Sequence, residues 1–117
     1  MNWKNAGIAL AVVALACIGV WSYQANSAAA RGEEAFKRLG CGGCHFSGAG
    51  PTLTHIVRNQ DEQLLERFIA SPPTVYHERG MRSLNEGYML MPDMHATPQE
   101  AHDIVAYLNE INREAKQ

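Results

Sequence analysis

The sequence has little net charge, few cysteines and no stretch that alternates between polar and apolar residues. Its 117 residues carry 10 Lys and Arg against 12 Asp and Glu, a formal charge of -2, so the basic surface of a nucleic-acid-binding protein is missing. The length leaves room for one small domain and a tail, which excludes a large multidomain enzyme. Because no segment alternates with the period of a strand, the sequence predicts an all-α fold.

The hydrophobic residues are concentrated at the amino terminus. Residues 6–23 carry no charge and 15 of these 18 positions are hydrophobic, whereas residues 31–117 have 33 hydrophobic positions in 87. An uncharged run of this length is close to the minimum for a helix that crosses a membrane. We therefore divide the chain into a membrane segment, residues 1–30, and a domain, residues 31–117. A domain this small often needs a metal or cofactor to supplement its core.

Two interpretations of the membrane segment stay open. Trp3 near one end and Trp21 with Tyr23 near the other suit the two interfaces of a bilayer, which favours a retained single-pass anchor. The small residues 28–30 also suit a signal peptidase, and cleavage there would release a soluble periplasmic protein. Lys4 and the terminal amine favour a cytoplasmic amino terminus. Both interpretations place the domain outside the inner (cytoplasmic) membrane, in the periplasm of a bacterium.

Three segments of the domain have the pattern of amphipathic helices. Residues 31–39 and 61–70 each form an apolar stripe; Asp61 can cap the second helix, and Ser71-Pro72-Pro73 ends it. The third helix begins at Thr97-Pro98-Gln99-Glu100, which combines an N-cap threonine, a proline at the first helical position and the glutamate of a capping box. Residues 72–96 have no periodic signal and are predicted to form a long loop, whose length in so small a domain indicates a function.

Residues 41–45, Cys-Gly-Gly-Cys-His, carry the clearest chemistry in the sequence. The spacing C-x-x-C-H is typical of covalent haem attachment, since two thiols three positions apart can add to both vinyl groups of one porphyrin. The imidazole of His45 can then reach the iron. A thioredoxin-like motif would need a preceding strand, a structural zinc site four ligands, and a disulfide would leave His45 without a role. We predict one haem c, attached through Cys41 and Cys44 and ligated by His45.

The domain resembles the class I cytochrome c family over almost all of residues 31–117. The resemblance rests on five features that occur in the family's order: Gly32 with Phe36, Cys41 to His45, Gly50-Pro51-Thr52-Leu53, Met91-Pro92, and Ala106-Tyr107-Leu108. It implies a small helical domain around one covalent haem, in which the first helix crosses the last and Gly32 permits their close approach. It also implies that the Pro51 carbonyl accepts the Nδ1 proton of His45.

The second axial ligand of the iron should come from the long loop. Met91 is favoured because the following Pro92 restricts its backbone to extended conformations and so presents the side chain from a restrained segment. The six-residue step from Met91 to Thr97 also looks like the family's spacing. Met94 remains an alternative. Met89, Met81 and the histidines are lesser candidates. The histidines other than His45 are expected to lie at the surface or in loops: His55, His77, His95 and His102.

The resemblance implies an electron carrier and not an enzyme. Such a monohaem protein would pass single electrons between periplasmic-side redox partners of a respiratory or related chain, for example a quinol-oxidising complex and a terminal oxidase. Both a free shuttle and a fixed subunit of a membrane complex stay open. The alternatives are a haem-based gas sensor or small-molecule-binding haem enzyme with an open sixth position, and a carrier with two histidine ligands.

Overall fold

A computed structural model describes residues 2–53, 57, 61–80 and 90–116 of the chain. Within these residues there are helices and turns and no strand, which confirms the all-α prediction. The helices delimited there are α1 (Trp3–Ala25), α2 (Ala28–Arg38), α3 (Gly42–His45), α4 (Glu62–Ala70), α5 (Pro72–Glu78) and α6 (Pro98–Glu114).

Helix α1 is long and apolar enough to cross a membrane. Its 23 residues span about 35 Å at 1.5 Å per residue, slightly more than the roughly 30 Å of a bilayer's hydrocarbon core. None of the candidate span Trp3–Gln24 is buried against the rest of the chain, and Trp3 and Trp21 are 91% and 74% exposed. A helix that is apolar on all sides suits a lipid environment. A signal sequence has the same properties, so the retained anchor stays a proposal.

Helix α2 begins three residues before the predicted position. The sequence predicts a helix over residues 31–39, whereas α2 covers Ala28–Arg38. The reason is local: the hydroxyl of Ser27 accepts a hydrogen bond from the Ala30 amide at 3.1 Å, and three consecutive alanines, the best helix formers, follow that cap. The small residues that also suit a peptidase therefore form the first turn of a helix.

The crossing of α2 with α6 forms the centre of the domain. A Cβ atom on Gly32 would lie 1.8 Å from the carbonyl oxygen of Asp103, so only glycine allows the two backbones to come this close. Beside this contact the rings of Phe36 and Tyr107 pack edge to face with their centroids 5.5 Å apart. A cluster of four buried side chains surrounds the crossing: Ala35, Phe36, Ile104 and Leu108. The crossing has the arrangement that the resemblance implies.

Helix α6 follows its sequence pattern closely. The Thr97 hydroxyl accepts from the Glu100 amide at 3.1 Å, and the Glu100 carboxylate accepts from the Thr97 amide at 2.9 Å, which completes the predicted capping box. This backbone hydrogen bond, with the nearby charge of Arg38, holds the pKa of Glu100 below its ordinary value. The apolar face of α6 is the buried one: Ala101, Ile104, Val105 and Leu108 are buried, and Ile111 is partly buried.

Helix α4 was predicted correctly, but the loop after it was not. Asp61 caps α4 by accepting from the Leu64 amide at 3.1 Å, and α4 ends at Ala70, just before Ser71-Pro72-Pro73, as expected. The predicted loop 72–96 is wrong in its first part, because α5 occupies Pro72–Glu78. Proline is favourable at the first position of a helix, and seven residues are too few to show a periodic pattern. Helix α5 buries Pro72, Val75 and Tyr76.

Candidate cofactor-binding site

The end of α2 positions the first cysteine of the motif. Gly40 has a left-handed backbone with φ of 75°, its amide donates to the Lys37 carbonyl at 3.1 Å, and the Cys41 amide donates to the Phe36 carbonyl at 3.2 Å. These two bonds form a Schellman motif, which folds the residue after the glycine back against the helix. Cys41 is consequently half-buried against the central cluster, and this burial raises the pKa of its thiol.

The single turn of α3 brings the two thiols to one side of the chain. Cys41 has helical backbone angles, and the His45 amide donates to its carbonyl at 3.1 Å. Residues three apart on a helical turn are neighbours on its surface, so Cys44 lies on the same side as Cys41. Cys44 is exposed. The Ser47 hydroxyl donates to the Gly43 carbonyl at 2.7 Å and holds the end of this turn.

The segment after α3 returns to fix the imidazole ring of His45. Gly48, with φ of 84°, turns the chain, and the Gly50 amide donates to the Cys44 carbonyl at 2.9 Å. The Nδ1 atom of His45 then lies 2.9 Å from the carbonyl oxygen of Pro51. A carbonyl oxygen only accepts hydrogen bonds, so the proton of the neutral ring is on Nδ1 and the lone pair is on Nε2. This is the protonation state of an imidazole that binds a metal through Nε2.

Gly50 lies beside this ring, where a side chain would crowd it. A Cβ atom at this position would lie 3.2 Å from Nδ1 and 3.4 Å from Cε1 of His45, closer than ordinary van der Waals contact. A larger residue at position 50 would crowd the ring, which would have to shift by a few tenths of an ångström. The glycine leaves the imidazole the space that it occupies beside the Pro51 carbonyl.

Met91 is held by a residue that the sequence did not point to. Its backbone amide donates to the hydroxyl of Tyr76 at 3.1 Å. Tyr76 is buried, and its ring meets Phe68 edge to face with centroids 5.3 Å apart. Tyr76 belongs to α5, the short helix that sequence reasoning missed. Its only signal in the sequence was the proline at the helix start followed by adjacent apolar residues. Met94 is half-buried like Met91, so burial alone does not distinguish the two methionines.

Most of the remaining candidate ligands lie at the surface. His77, His95 and His102 are exposed, as expected from the sequence. The Nδ1 atom of His102 is 2.8 Å from the Glu66 carboxylate on α4. Met81, Met89 and His55 lie outside the described residues.

The residues present fit a porphyrin better than a bare metal ion. Among residues 2–53, 57, 61–80 and 90–116, no group of three or more His, Cys, Asp or Glu side chains could hold a metal ion. A porphyrin supplies four nitrogen ligands itself, so the protein needs to contribute only axial ones. The two thiols lie on one side of a helical turn, which suits covalent attachment of a porphyrin. The imidazole that follows has its Nδ1 already hydrogen-bonded, which suits binding of the iron through Nε2.

This combination of a small helical domain with an oriented C-x-x-C-H motif defines a c-type haem protein. The family model described as cytochrome c matches residues 29–112, well over half of the chain. The chain belongs to the cytochrome c family; its cofactor is covalently attached haem c, and its general function is haem-based electron transfer. Searches of curated proteins and of solved structures found no match.

Proposed function

We propose that this protein carries single electrons between periplasmic-side redox proteins and that α1 holds it to the membrane. Cys41 and Cys44 attach the haem, and His45 and Met91 are the axial ligands. The hydrogen bond between His45 and Pro51, beside the two thiols, is the observation that carries the proposal. Bound haem supplies reversible one-electron exchange at its iron. The chain itself acts as a carrier and not as an enzyme.

The contribution of His45 follows from its surroundings. Donation from Nδ1 to the Pro51 carbonyl fixes the ring orientation and makes Nε2 a stronger electron donor. Gly50 has no side chain that would crowd the same ring. A ligand held in this way keeps its geometry in both oxidation states, which favours rapid electron exchange.

The contribution of Met91 follows from two restraints on its backbone. Its amide donates to the buried Tyr76 hydroxyl, and Pro92 limits its conformation. A thioether in the sixth position excludes small molecules from it. It also raises the reduction potential relative to two histidines, which suits delivery of electrons to a high-potential acceptor such as a terminal oxidase. A quinol-oxidising complex is a suitable donor.

The membrane location is proposed from α1. Lys4 at the amino-terminal end favours a cytoplasmic start, which puts the haem domain in the periplasm. Confinement to the membrane raises the effective concentration of the carrier near integral complexes. The intact mass of the protein extracted from membranes tests this directly: residues 1–30 should be present. A mass that begins near Arg31 would contradict the anchor and indicate a soluble periplasmic carrier.

Carbon monoxide tests the coordination. We expect the ferrous full-length protein to resist carbon monoxide at neutral pH and Met91→Ala to bind it rapidly, because only the variant has an open sixth position. Met91→Ala should also lose the weak absorption of sulfur bound to ferric iron. Met94→Ala is the matched control and should behave like the unsubstituted protein.

Three other outcomes would each contradict part of the proposal. Rapid binding by the unsubstituted protein would favour a gas sensor or a small-molecule-binding enzyme. If Met94→Ala showed these effects and Met91→Ala did not, Met94 and not Met91 would be the ligand. A denatured polypeptide without a pyridine haemochrome spectrum would contradict covalent haem altogether.

A further inference from the structure

The connection between α1 and α2 is short. Helix α1 ends at Ala25 and α2 begins at Ala28, so only Asn26 and Ser27 lie between them. A flexible linker lets its ends separate by about 5–6 Å times the square root of its residue number, so two residues would give little freedom even if they were unstructured. They are not unstructured, because both are hydrogen-bonded to the adjoining helices.

Asn26 extends the hydrogen bonding of α1, and Ser27 is hydrogen-bonded to both α1 and α2. The backbone amide and the side-chain amide of Asn26 donate to the Ser22 carbonyl at 3.1 and 3.0 Å. The Ser27 amide donates to the Gln24 carbonyl at 3.3 Å. On its other side Ser27 accepts twice: its hydroxyl from the Ala30 amide at 3.1 Å, and its carbonyl from the Arg31 amide at 3.0 Å.

Arg31 extends this junction into the core of the domain. Its guanidinium group donates to both oxygens of Asp103, from Nε at 3.0 Å and from Nη2 at 3.1 Å, and from Nη1 to the Asn26 carbonyl. The Asp103 side chain is 5% exposed and lies on α6, where Gly32 meets that helix. A two-bond arginine–carboxylate pair fixes orientation as well as distance. One side chain therefore connects the end of α1 to the most buried part of the domain.

We infer that residues 26–31 form a fixed joint that holds the haem domain directly on the membrane surface. Its electron partner is then a membrane-integral redox protein whose own electron site lies near that surface. The inference rests on the proposed function, because it requires α1 to be retained as the anchor.

The size of the domain sets its reach. A folded domain of 87 residues has a radius of gyration of about 12 Å, so with a fixed joint its far side lies roughly 30–40 Å above the membrane. A fixed joint also presents one face of the domain at a constant height. Confinement to one membrane raises the effective concentration only if the geometry lets the two proteins make contact. Two proteins fixed in the same membrane can do so when their electron sites lie at the same height.

The joint can be tested by measuring distances in the haem-loaded full chain in lipid nanodiscs. Thioether formation at Cys41 and Cys44 leaves Cys17 of α1 as the remaining thiol of the three cysteines, and Glu114→Cys adds a second one at the exposed end of α6. Nitroxides at both positions should give one narrow distance distribution by pulsed electron paramagnetic resonance. Eight Gly-Ser residues inserted between Asn26 and Ser27 should broaden it several-fold. Equal widths with and without the insertion would overturn the fixed joint.

The role of Arg31 needs a matched control on the same pair of helices. Arg31→Gln should broaden the distribution, whereas Arg38→Gln should not, because Arg38 is the last residue of α2, at the opposite end from the junction, and pairs with Glu100 on α6. Arg31→Gln combined with Asp103→Asn removes both charges and should also broaden the distribution. This variant separates loss of the connection from the effect of a buried carboxylate that keeps only its hydrogen bond from Gln99. An unchanged width in both Arg31 variants would overturn the assigned role of Arg31.

The class of partner is tested by fractionation of the host's membranes. Host membranes that contain the expressed full-length protein, washed with carbonate so that they retain only integral proteins, should re-oxidise its reduced haem. The Gly-Ser insertion should slow this re-oxidation several-fold. Re-oxidation by the soluble periplasmic fraction alone, or an insertion variant as fast as the unsubstituted protein, would overturn the assignment of the partner. A chain without covalent haem would contradict the proposed function, and this is read from the haemochrome spectrum independently of the distances.

Discussion

The two sides of the domain are built in different ways. At the crossing of α2 with α6, the chain's own apolar side chains are packed together, and Phe36, Ile104 and Leu108 are all nearly inaccessible to solvent. On the attachment side, from Cys41 to Pro51, no residue of α3 is buried, and position is set by glycine turns and hydrogen bonds. The crossing supplies stability through burial, whereas the attachment side supplies orientation through directional bonds.

This difference determines how each side should respond to substitution. Burial of a large apolar side chain contributes about 1.5–3 kcal/mol, whereas a single hydrogen bond contributes about 1 kcal/mol net. Added volume at the crossing therefore lowers the free energy of unfolding. A comparable change on the attachment side alters the position of a ligand more than it alters stability.

Two helical glycines allow the largest test of this comparison. Gly32→Ala should lower the free energy of unfolding by about 3 kcal/mol, because overpacking against a fixed backbone carbonyl forces the two helices apart. Gly43→Ala should leave it unchanged or raise it by up to about 1 kcal/mol, because nothing lies within 4 Å of the new Cβ and alanine favours a helix. Urea unfolding of both haem-loaded variants, followed by circular dichroism, measures the difference. Equal losses in the two variants would contradict the contrast between the two sides.

The parts of the fold that the sequence predicted correctly are those with local signals. Asp61 and Thr97 start their helices as expected, because a cap and the helix it begins are adjacent in the chain. The missed features depend on distant contacts or on short elements. Helix α5 is too short for a period, and the start of α2 was obscured because its alanines suit a helix and a peptidase equally well.

The site was predictable to a similar extent. The motif from Cys41 to His45 is contiguous, so its chemistry could be predicted from spacing alone. The contact of Pro51 with His45 came from the family resemblance and has the expected geometry at 2.9 Å. The contact of Tyr76 with Met91 joins residues fifteen apart, and that of Arg31 with Asp103 joins residues 72 apart. No spacing rule predicts such pairs, because only the folded backbone brings them together.

The ion pair at the crossing should give a pH-dependent effect of intermediate size. The hydrogen bonds from Arg31 hold the pKa of Asp103 below its ordinary value. A carboxylate with a lowered pKa adds stability above the ordinary pKa near 4, and this stability is lost as the pH falls through the lowered value. Asp103→Asn should therefore unfold more easily than the unsubstituted protein at pH 7, and the gap should narrow below about pH 4.

Urea unfolding across this pH range measures the gap. Glu34→Gln, on the exposed face of α2, is the control and should show only a small gap. A gap for Asp103→Asn that stayed constant down to pH 2 would mean that the carboxylate charge contributes nothing to the crossing. High salt should also reduce the gap, because Arg31 is half-exposed and its charge is screened.

The smallest effect on stability is expected at the start of α6, where a local cap begins one of the two crossing helices. Thr97→Ala removes the hydroxyl that accepts from the Glu100 amide and should lower the free energy of unfolding by about 1 kcal/mol. Thr97→Ser keeps the hydroxyl and should cost less than about 0.5 kcal/mol, which separates capping from the loss of a methyl group. The weak sulfur-to-iron absorption should stay the same in both variants, since Thr97 lies six residues beyond Met91 and affects stability without touching the ligand. A change in that absorption would show that the start of α6 also sets the position of the Met91 segment, so that one end of the crossing would orient a ligand as well as stabilise the domain.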